Sequence, residues 1–358
     1  ISASHNPFEY NGIKIFNSEG FKLSDELEEE IEKYVLSGEP LPQKSPGEIG
    51  RIVGNGEKWV DAYIDHLAGC AEAEIKSLKV LVDCANGAAS RTAKQLFSRF
   101  PIDCTFVNDS PNGTNINEGC GSTHLDCLAG AVVAGGFDLG IAFDGDADRC
   151  LIVDEKGNEV DGDRIMALCG CRMKAEGRLK GDTIVATVMS NLGLHKFARE
   201  NGMNVLCAPV GDKNVLEMML KGGYNLGGEQ SGHLIFLDNT TTGDGQLAAV
   251  KLLGIVSSAG KTVSELVSEI PQFPQVLVNV PIEGGNETKE LIMKSDKLKN
   301  AIECAERTLG DSGRVLVRPS GTEALIRVMV EAPDMELAKQ TAQIISNGIK
   351  SLINDIKY

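Results

Sequence analysis

The sequence predicts an α/β protein in which strands and helices alternate along the chain. An apolar strand pattern at 79–83 is followed by a glycine-containing turn and a helical pattern towards Phe97. The same order recurs from a strand pattern at 182–186, through a helical segment, to a strand pattern at 204–206. Strands that alternate with helices favour parallel sheets. A length of 358 residues favours two or three domains.

The other elements before the midpoint follow from periodicity and turn residues. A helix is predicted at 24–36, with acidic residues in its first turns and an apolar stripe formed by Leu27, Ile31, Tyr34 and Val35. The segment 38–56 is rich in glycine and proline and is predicted to be a linker. Further strands are predicted near Cys104 and Ile141. Ile1 resembles the end of a buried strand that is already under way.

The C-terminal part is predicted to begin near Pro271–Pro274 with a strand. A long helix from about Thr288 follows, then two strands around a Ser-Gly-Thr turn at 320–322, and a final helix from Asp334.

Composition narrows the classes of function. The formal net charge of −16 and the isoelectric point near 4.8 argue against a nucleic-acid partner. No apolar run in the sequence approaches the length of a membrane span. The ten cysteines include no C-x-x-C pair. We therefore predict buried free thiols and a reducing cytoplasm.

The first chemical motif is the segment Ser4-His5-Asn6-Pro7, with Lys14 close behind it. Pro7 fixes its own φ and keeps Asn6 out of the helical region, so the turn after Ser4 is stiff. A serine on a rigid turn beside basic groups is a candidate carrier of a covalent intermediate. A polar surface loop is the alternative.

The second motif is a run of carboxylates at alternate positions, Asp144, Asp146 and Asp148, directly after a strand. Carboxylates this close repel one another unless a cation lies among them, and hard oxygen ligands suit Mg²⁺ or Ca²⁺. The alternatives are a solvated acidic loop and an EF-hand. The strand before the motif argues against the first. Against the second, Arg149 stands where that loop needs glycine and the flanks are strands. Because three carboxylates leave a Mg²⁺ ion short of ligands, a phosphate is expected to supply further oxygens.

Two further motifs carry polar groups on glycine turns. The segment 227–233, Gly-Gly-Glu-Gln-Ser-Gly-His, offers Glu229 and Ser231 as hydrogen-bonding groups and His233 for proton transfer. The segment 314–330 contains two strands around a turn whose hydroxyls and guanidinium groups form a candidate phosphate cradle, Arg318, Ser320, Gly321, Thr322 and Arg327. The alternative for the first segment is a glycine-rich hairpin with a structural histidine, and for the second it is an ordinary hairpin with surface arginines.

In this order the four motifs resemble the α-D-phosphohexomutase superfamily, and the resemblance runs essentially end to end. Gln230 is typical of the branch that acts on glucosamine phosphates, where other branches usually carry methionine. The resemblance implies three related mixed α/β domains, the first incomplete, and a smaller C-terminal α+β domain around a central cleft. The implied boundaries are 1–54 for the remnant of a phosphoserine domain, 55–157 for a metal-binding domain, 158–270 for a sugar-binding domain and 271–358 for a phosphate-binding domain.

The resemblance also implies a mechanism. Phosphorylated Ser4 gives its phosphoryl group to a sugar monophosphate, and the resulting 1,6-bisphosphate turns around and returns its other phosphate. Asp144, Asp146 and Asp148 would hold Mg²⁺ together with phosphorylated Ser4. Lys14, Arg149 and His233 are the other expected catalytic residues. The expected substrate contacts are His5, Glu229, Ser231, Arg318, Ser320, Gly321, Thr322 and Arg327.

The expected partners are small hexosamine phosphates. Neither a nucleic acid nor a membrane is expected as a partner, and a homodimer is left open. Two alternatives stay open as well. One is a phosphoglucomutase or phosphomannomutase of the same fold, and the other is an inactive phosphosugar-binding fragment. The second arises because family members carry most of their first domain before a position equivalent to Ile1, so the chain is expected to be incomplete.

Overall fold

A computed structural model describes residues 1–40, 43–51, 54, 56–282, 285–320 and 323–356. The chain forms two compact units. The first comprises Ile1–Met189 with Gly202–Glu269, and the second comprises Ser190–Asn201 with Ile270–Tyr358. The first unit contains two mixed sheets and the second contains one antiparallel sheet.

The first sheet has the strand order β2-β1-β3-β4-β5, with β1 parallel to β2 and β3, and β4 antiparallel to both β3 and β5. Helix α4 packs its leucine and valine side chains on β1, β3 and β4. The strands β3 and β4 are buried along their whole length, which explains their continuous apolar sequences. The elements are α1 (Asp25–Ser37), α2 (Gly56–Gly69), β1 (Lys79–Asp83), α3 (Ala89–Phe97), β2 (Asp103–Val107), α4 (Asp126–Gly135), β3 (Leu139–Phe143), β4 (Cys150–Asp154) and β5 (Glu159–Val160).

The second sheet has the order β7-β6-β8-β9, with β6 parallel to β7 and β8, and β9 antiparallel to β8. Helix α7 packs on it through Val215 and Met219. The predicted strand–helix–strand order at 182–206 is therefore present. The elements are α5 (Gly162–Ala175), β6 (Thr183–Thr187), α6 (Leu192–Glu200), β7 (Asn204–Ala208), α7 (Asp212–Gly222), β8 (Leu226–Gly228), β9 (Leu234–Phe236), α8 (Gly245–Ala259) and α9 (Val263–Val267).

The sheet of the second unit has the order β10-β12-β11 and is antiparallel throughout. Its core is formed by apolar residues of the sheet and of the last helix, among them Val280, Ile326, Val328, Ile345 and Ile349. The elements are β10 (Gln275–Pro281), α10 (Gly285–Lys294), α11 (Asp296–Leu309), β11 (Arg314–Pro319), β12 (Leu325–Glu331) and α12 (Met335–Ile356).

Two sequence predictions about these elements are wrong. The single long helix from about Thr288 is two helices, because Ser295 adopts an extended conformation (ψ 129°) and starts α11 as its N-cap. Ile1 is 94% exposed instead of buried, and the neighbouring Ser2 forms an isolated bridge with Gly12. Helix α1 is present as predicted, but none of its residues is buried.

A buried ion pair stabilises the second unit. The Glu331 side chain is fully buried and accepts hydrogen bonds from the Leu192 backbone N–H (2.9 Å) and from Arg314 Nε (2.7 Å) and Nη2 (3.2 Å). Replacing one partner of such a pair leaves an uncompensated charge, so Glu331→Ala should lower the free energy of unfolding by about 3–5 kcal/mol. Chemical denaturation measures this loss. Glu306→Ala, at an exposed position on α11, is the control, and an equal small effect of both variants would contradict the assignment.

Candidate active site

The carboxylate motif forms the turn between β3 and β4. Asp144 directly follows β3, and its Oδ1 accepts a hydrogen bond from the Arg149 backbone N–H (3.1 Å), which closes the turn. Ala147 has a φ of 60°, in the left-handed region that favours glycine. The Asp144, Asp146 and Asp148 carboxylates each offer one oxygen within 4.8 Å of the other two. The alternate spacing therefore brings the three carboxylates together.

The electrostatics of the turn favour a bound cation. Asp144 is 1% exposed, and burial, together with the charges of Asp148 and Asp146, raises its pKa well above the ordinary range. Burial alone would raise the pKa of Asp148. The hydrogen bond to His233 and the charges of His233 and Lys14 outweigh burial and hold the pKa of that carboxyl low. Lys14 Nζ contacts Asp146 and lies 3.1 Å from Asp148 Oδ2. Burial opposes the charge of Lys14, yet these carboxylates raise its pKa.

The carboxylate turn also has carboxylate oxygens that are free to bind a hard divalent metal ion. Asp144 Oδ2, Asp146 Oδ1 and Asp148 Oδ1 are buried, and none has a hydrogen-bond partner among the described residues. A buried carboxylate oxygen without a partner is costly, and a cation removes that cost. The three aspartates therefore fit a Mg²⁺ site with oxygen ligands only.

The serine motif is held against the carboxylate turn by its backbone. The Ser4 carbonyl oxygen accepts hydrogen bonds from the Gly145 N–H (3.1 Å) and from Asn117 Nδ2 (2.7 Å). A Cβ on Gly145 would lie 2.5 Å from that same oxygen, so only glycine permits the approach. Ser4 has a φ of 52°, and its Oγ lies 3.4 Å from His5 Nδ1. Burial, and next the Arg149 charge, lower the pKa of His5.

The glycine segment 227–233 turns between β8 and β9 and also meets the carboxylate turn. Gly232 accepts a hydrogen bond from the Cys150 N–H (3.0 Å). His233 is 4% exposed, its Nδ1 lies 3.5 Å from Asp148 Oδ2, and its Nε2 lies 3.8 Å from Asp212 Oδ2. Glu229 Oε1 accepts a hydrogen bond from the Gly211 N–H (3.0 Å), and Ser231 Oγ lies 3.4 Å from Glu229 Oε2.

The first unit thus brings together Ser4, His5, Lys14, the three aspartates, Arg149 and the segment that carries Glu229, Ser231 and His233. A cavity of about 240 Å³ lies beside this cluster and is lined by His233, Asp212, Lys22 and Thr242, among others. The serine turn and the glycine segment each contact the carboxylate turn, and Lys14 reaches the carboxylate turn through its Nζ.

The candidate phosphate cradle lies in the second unit. Arg318 on β11 and Arg327 on β12 are direct register partners, and burial and then the Arg327 charge lower the pKa of Arg318. Arg327 Nη2 donates to Glu323 Oε2 (2.6 Å), whereas its buried Nε has no partner among the described residues. Ser320 is 5% exposed. Gly321 and Thr322 lie outside the described residues. Two adjacent guanidinium groups favour an anion between them.

Sequence reasoning missed three supporting residues. Asn117 Nδ2 donates hydrogen bonds to the carbonyl oxygens of Ser4 (2.7 Å) and Asn6 (2.8 Å). Lys289 is 6% exposed, and its Nζ donates to the carbonyl oxygens of Ser320 (2.9 Å) and Glu323 (2.8 Å). Asp212 follows Gly211 at the start of α7 and contacts Lys22. In the sequence each is a polar residue in a turn or a helix, a description that many solvated residues share.

The remaining predictions concern the thiols and the membrane. All ten cysteines are free, as predicted, and five of them are buried. Across the described residues, the longest and most apolar helices fall short of what a bilayer crossing requires.

Four family descriptions match successive parts of the chain: phosphoglucomutase/phosphomannomutase alpha/beta/alpha domain I at 1–41, domain II at 61–157, domain III at 161–273 and the C-terminal domain at 277–347. The chain therefore belongs to the phosphoglucomutase/phosphomannomutase family. It is 52% identical over 354 residues to the phosphoglucosamine mutase of Carboxydothermus hydrogenoformans, covering 98% of this chain and 78% of that protein. It is 48% identical over 357 residues to the phosphoglucosamine mutase of Caldicellulosiruptor saccharolyticus, covering 99% and 79%.

Solved structures show the same fold at lower identity. The chain is 20% identical to the Aspergillus fumigatus N-acetylphosphoglucosamine mutase in complex with glucose 1,6-bisphosphate, with a TM-score of 0.73 over 98% of this chain and 87% of that chain. It is 21% identical to the same mutase in complex with GlcNAc-6P and magnesium, with a TM-score of 0.66 over 81% and 70%.

Proposed function

We propose that the protein is a mutase that interconverts glucosamine 6-phosphate and glucosamine 1-phosphate, with Ser4 as the phosphoryl carrier. The observation that carries the proposal is the contact between the Ser4 backbone and the carboxylate turn. The distance from the Ser4 carbonyl oxygen to the Gly145 nitrogen is 3.1 Å. A serine hydroxyl on a stiff turn, beside three carboxylates that fit a metal, suits phosphoryl transfer. The similarity to phosphoglucosamine mutases supports the choice of sugar.

In the proposed reaction the bond from Ser4 Oγ to phosphorus breaks as the bond from a sugar hydroxyl to phosphorus forms. The sugar hydroxyl proton passes to one proton carrier, and the departing Ser4 Oγ takes up a proton from another. Both transfers reverse when the other phosphoryl group of the bisphosphate returns to Ser4. His233 and Lys14 are the proposed proton carriers, and both contact Asp148. Arg149 follows that aspartate and neutralises developing charge. Bound Mg²⁺ would withdraw charge from the phosphoryl oxygens.

The other substrate contacts and cofactors are also proposals. Glu229 and Ser231 bind sugar hydroxyls or the amine, His5 binds near the transferred group, and the cradle with Arg318, Ser320, Gly321, Thr322 and Arg327 binds phosphate. Magnesium and glucose 1,6-bisphosphate appear in the structures of the Aspergillus fumigatus mutase. We propose Mg²⁺, phosphorylated Ser4 and a sugar 1,6-bisphosphate as intermediate and activator for this protein.

The cysteines suggest the cellular compartment of the protein. Ten free cysteines favour a reducing compartment, and we propose the cytoplasm. The partners are proposed to be small hexosamine phosphates alone, because the net charge of −16 disfavours nucleic acid. A homodimer stays a prediction.

Relative turnover of three sugar phosphates tests the choice of substrate. The value of kcat/KM should be highest for glucosamine 1-phosphate and about tenfold or more lower for glucose 1-phosphate and mannose 1-phosphate, because a hydrogen bond to the charged amine is worth about 1.5–3 kcal/mol. Coupled assays at saturating Mg²⁺ and equal concentrations of the matching bisphosphate give the comparison. A preference for glucose or mannose phosphate would contradict the glucosamine assignment and favour the phosphoglucomutase or phosphomannomutase alternative.

A further inference from the structure

The turn at 227–233, which carries the proposed sugar contacts Glu229 and Ser231, lies against the start of helix α5. The Gly162 N–H donates to the Gln230 carbonyl oxygen (2.9 Å). A Cβ on Gly162 would lie 2.1 Å from the Glu229 carbonyl oxygen, so the helix start and the turn are in direct backbone contact. A change at this junction therefore moves the residues next to the sugar.

One side-chain hydrogen bond crosses the same junction. Gln230 Nε2 donates to Asp161 Oδ2 (3.1 Å). Asp161 is 4% exposed, and its other oxygen, Oδ1, accepts the Arg164 N–H (3.1 Å) as the N-cap of α5. The two oxygens of one buried carboxylate thus have separate tasks: one caps the helix and the other holds the Gln230 amide.

We propose that Asp161 is a positioning residue for sugar binding and acts through Gln230. Gln230 shapes the turn, and the flanking Glu229 and Ser231 contact the sugar. The inference rests on the proposed function, because it assumes that this turn binds the sugar. The alternative is that Gln230 reads the sugar directly, in which case Asp161 would matter only as a helix cap.

Reversing the donor and the acceptor separates these two roles. In Gln230→Glu two carboxylates face each other across the junction and repel, while the side chain keeps its size. In Asp161→Asn the cap is kept, since asparagine caps as well as aspartate, and Gln230 can turn its amide to present its oxygen. In the double variant Asp161→Asn/Gln230→Glu, position 161 donates the hydrogen bond and position 230 accepts it. The direction of the bond is therefore reversed, and the net charge is that of the wild type.

The kinetic readout is KM for glucosamine 1-phosphate. Gln230→Glu should raise KM about tenfold, with kcat changed much less, because Gln230 borders Glu229 and Ser231, the proposed ring contacts, whereas the His233 ring lies against Asp148 and Asp212. Asp161→Asn should stay within about threefold of the wild type, and the double variant should return to that range. Gln343→Glu, at an exposed position on α12, is the control for the added charge.

Amide hydrogen exchange of the peptides that cover 226–236 is the second readout and needs no substrate. Exchange should be faster in Gln230→Glu and return to the wild-type rate in the double variant. A double variant no better than Gln230→Glu in KM and in exchange would overturn the proposal, as would an unchanged KM in Gln230→Glu. The two proposals can fail separately. If the double variant restores exchange but the wild type does not convert glucosamine phosphates, the Asp161–Gln230 pairing is supported and the proposed function is refuted.

Discussion

Ser4→Ala should abolish mutase turnover, with a loss on the order of 10⁴-fold or more, because it removes the only oxygen proposed to carry the phosphoryl group. The fold should persist. The Ser4 contacts to Gly145 and Asn117 use its backbone carbonyl, which alanine retains, and the left-handed φ of 52° costs alanine about as much as serine. Steady-state turnover with added bisphosphate and thermal unfolding measure the two quantities.

The control for this variant is Ser18→Ala, at an exposed position in the same N-terminal segment. It should keep wild-type turnover. Near-normal turnover of Ser4→Ala would contradict the covalent mechanism. A large fall in its melting temperature would mean that turnover is lost because the variant is unfolded.

Asp146→Asn should slow phosphoryl transfer on the order of 10²–10⁴-fold and weaken Mg²⁺ binding. The substitution removes one charge from a cluster in which buried oxygens of Asp144, Asp146 and Asp148 have no hydrogen-bond partner among the described residues. Without full charge compensation, the transition state keeps an unneutralised phosphoryl charge. Turnover against Mg²⁺ concentration and direct Mg²⁺ titration by calorimetry measure both effects. Asp61→Asn, at an exposed position on α2, should change neither.

Removing the metal with a chelator should have the same consequence as this variant, and readdition of Mg²⁺ should restore turnover. Because the pKa of Asp144 is raised by burial and by the neighbouring carboxylates, part of the population holds a proton there that the metal must displace. Mg²⁺ binding at neutral pH should therefore release protons, and affinity should rise with pH. Full activity after chelation would contradict the metal assignment.

The sequence predicted those parts of the fold and site that depend on local patterns. The strand β1 and helix α3, the parallel strands β6 and β7, and the clustering of Asp144, Asp146 and Asp148 each follow from periodicity or spacing over a few residues. The hydrogen bonds of Asn117, Lys289 and Asp161 join residues 31 to 113 positions apart. No short pattern encodes a contact of that kind, because the fold supplies the partner.

The break between α10 and α11 shows a further limit of local patterns. The residues 285–309 keep helical spacing on both sides of Ser295, so the periodicity alone predicts one helix. Serine is a common N-cap, but it also occurs within helices, and the tertiary contacts of the second unit decide between the two. Leu298 on α11 and Ile292 on α10 both reach the same core, which a broken helix permits.

The most direct test of the central claim is to map the phosphate on the protein. The wild type is incubated with glucosamine 1,6-bisphosphate and Mg²⁺, digested, and analysed by mass spectrometry, with Ser4→Ala treated in parallel. We predict one phosphoryl group on the Ser4 peptide, its loss when excess glucosamine 1-phosphate is added, and no label in Ser4→Ala. Phosphate on another residue, or turnover with Ser4 unmodified throughout, would contradict the account.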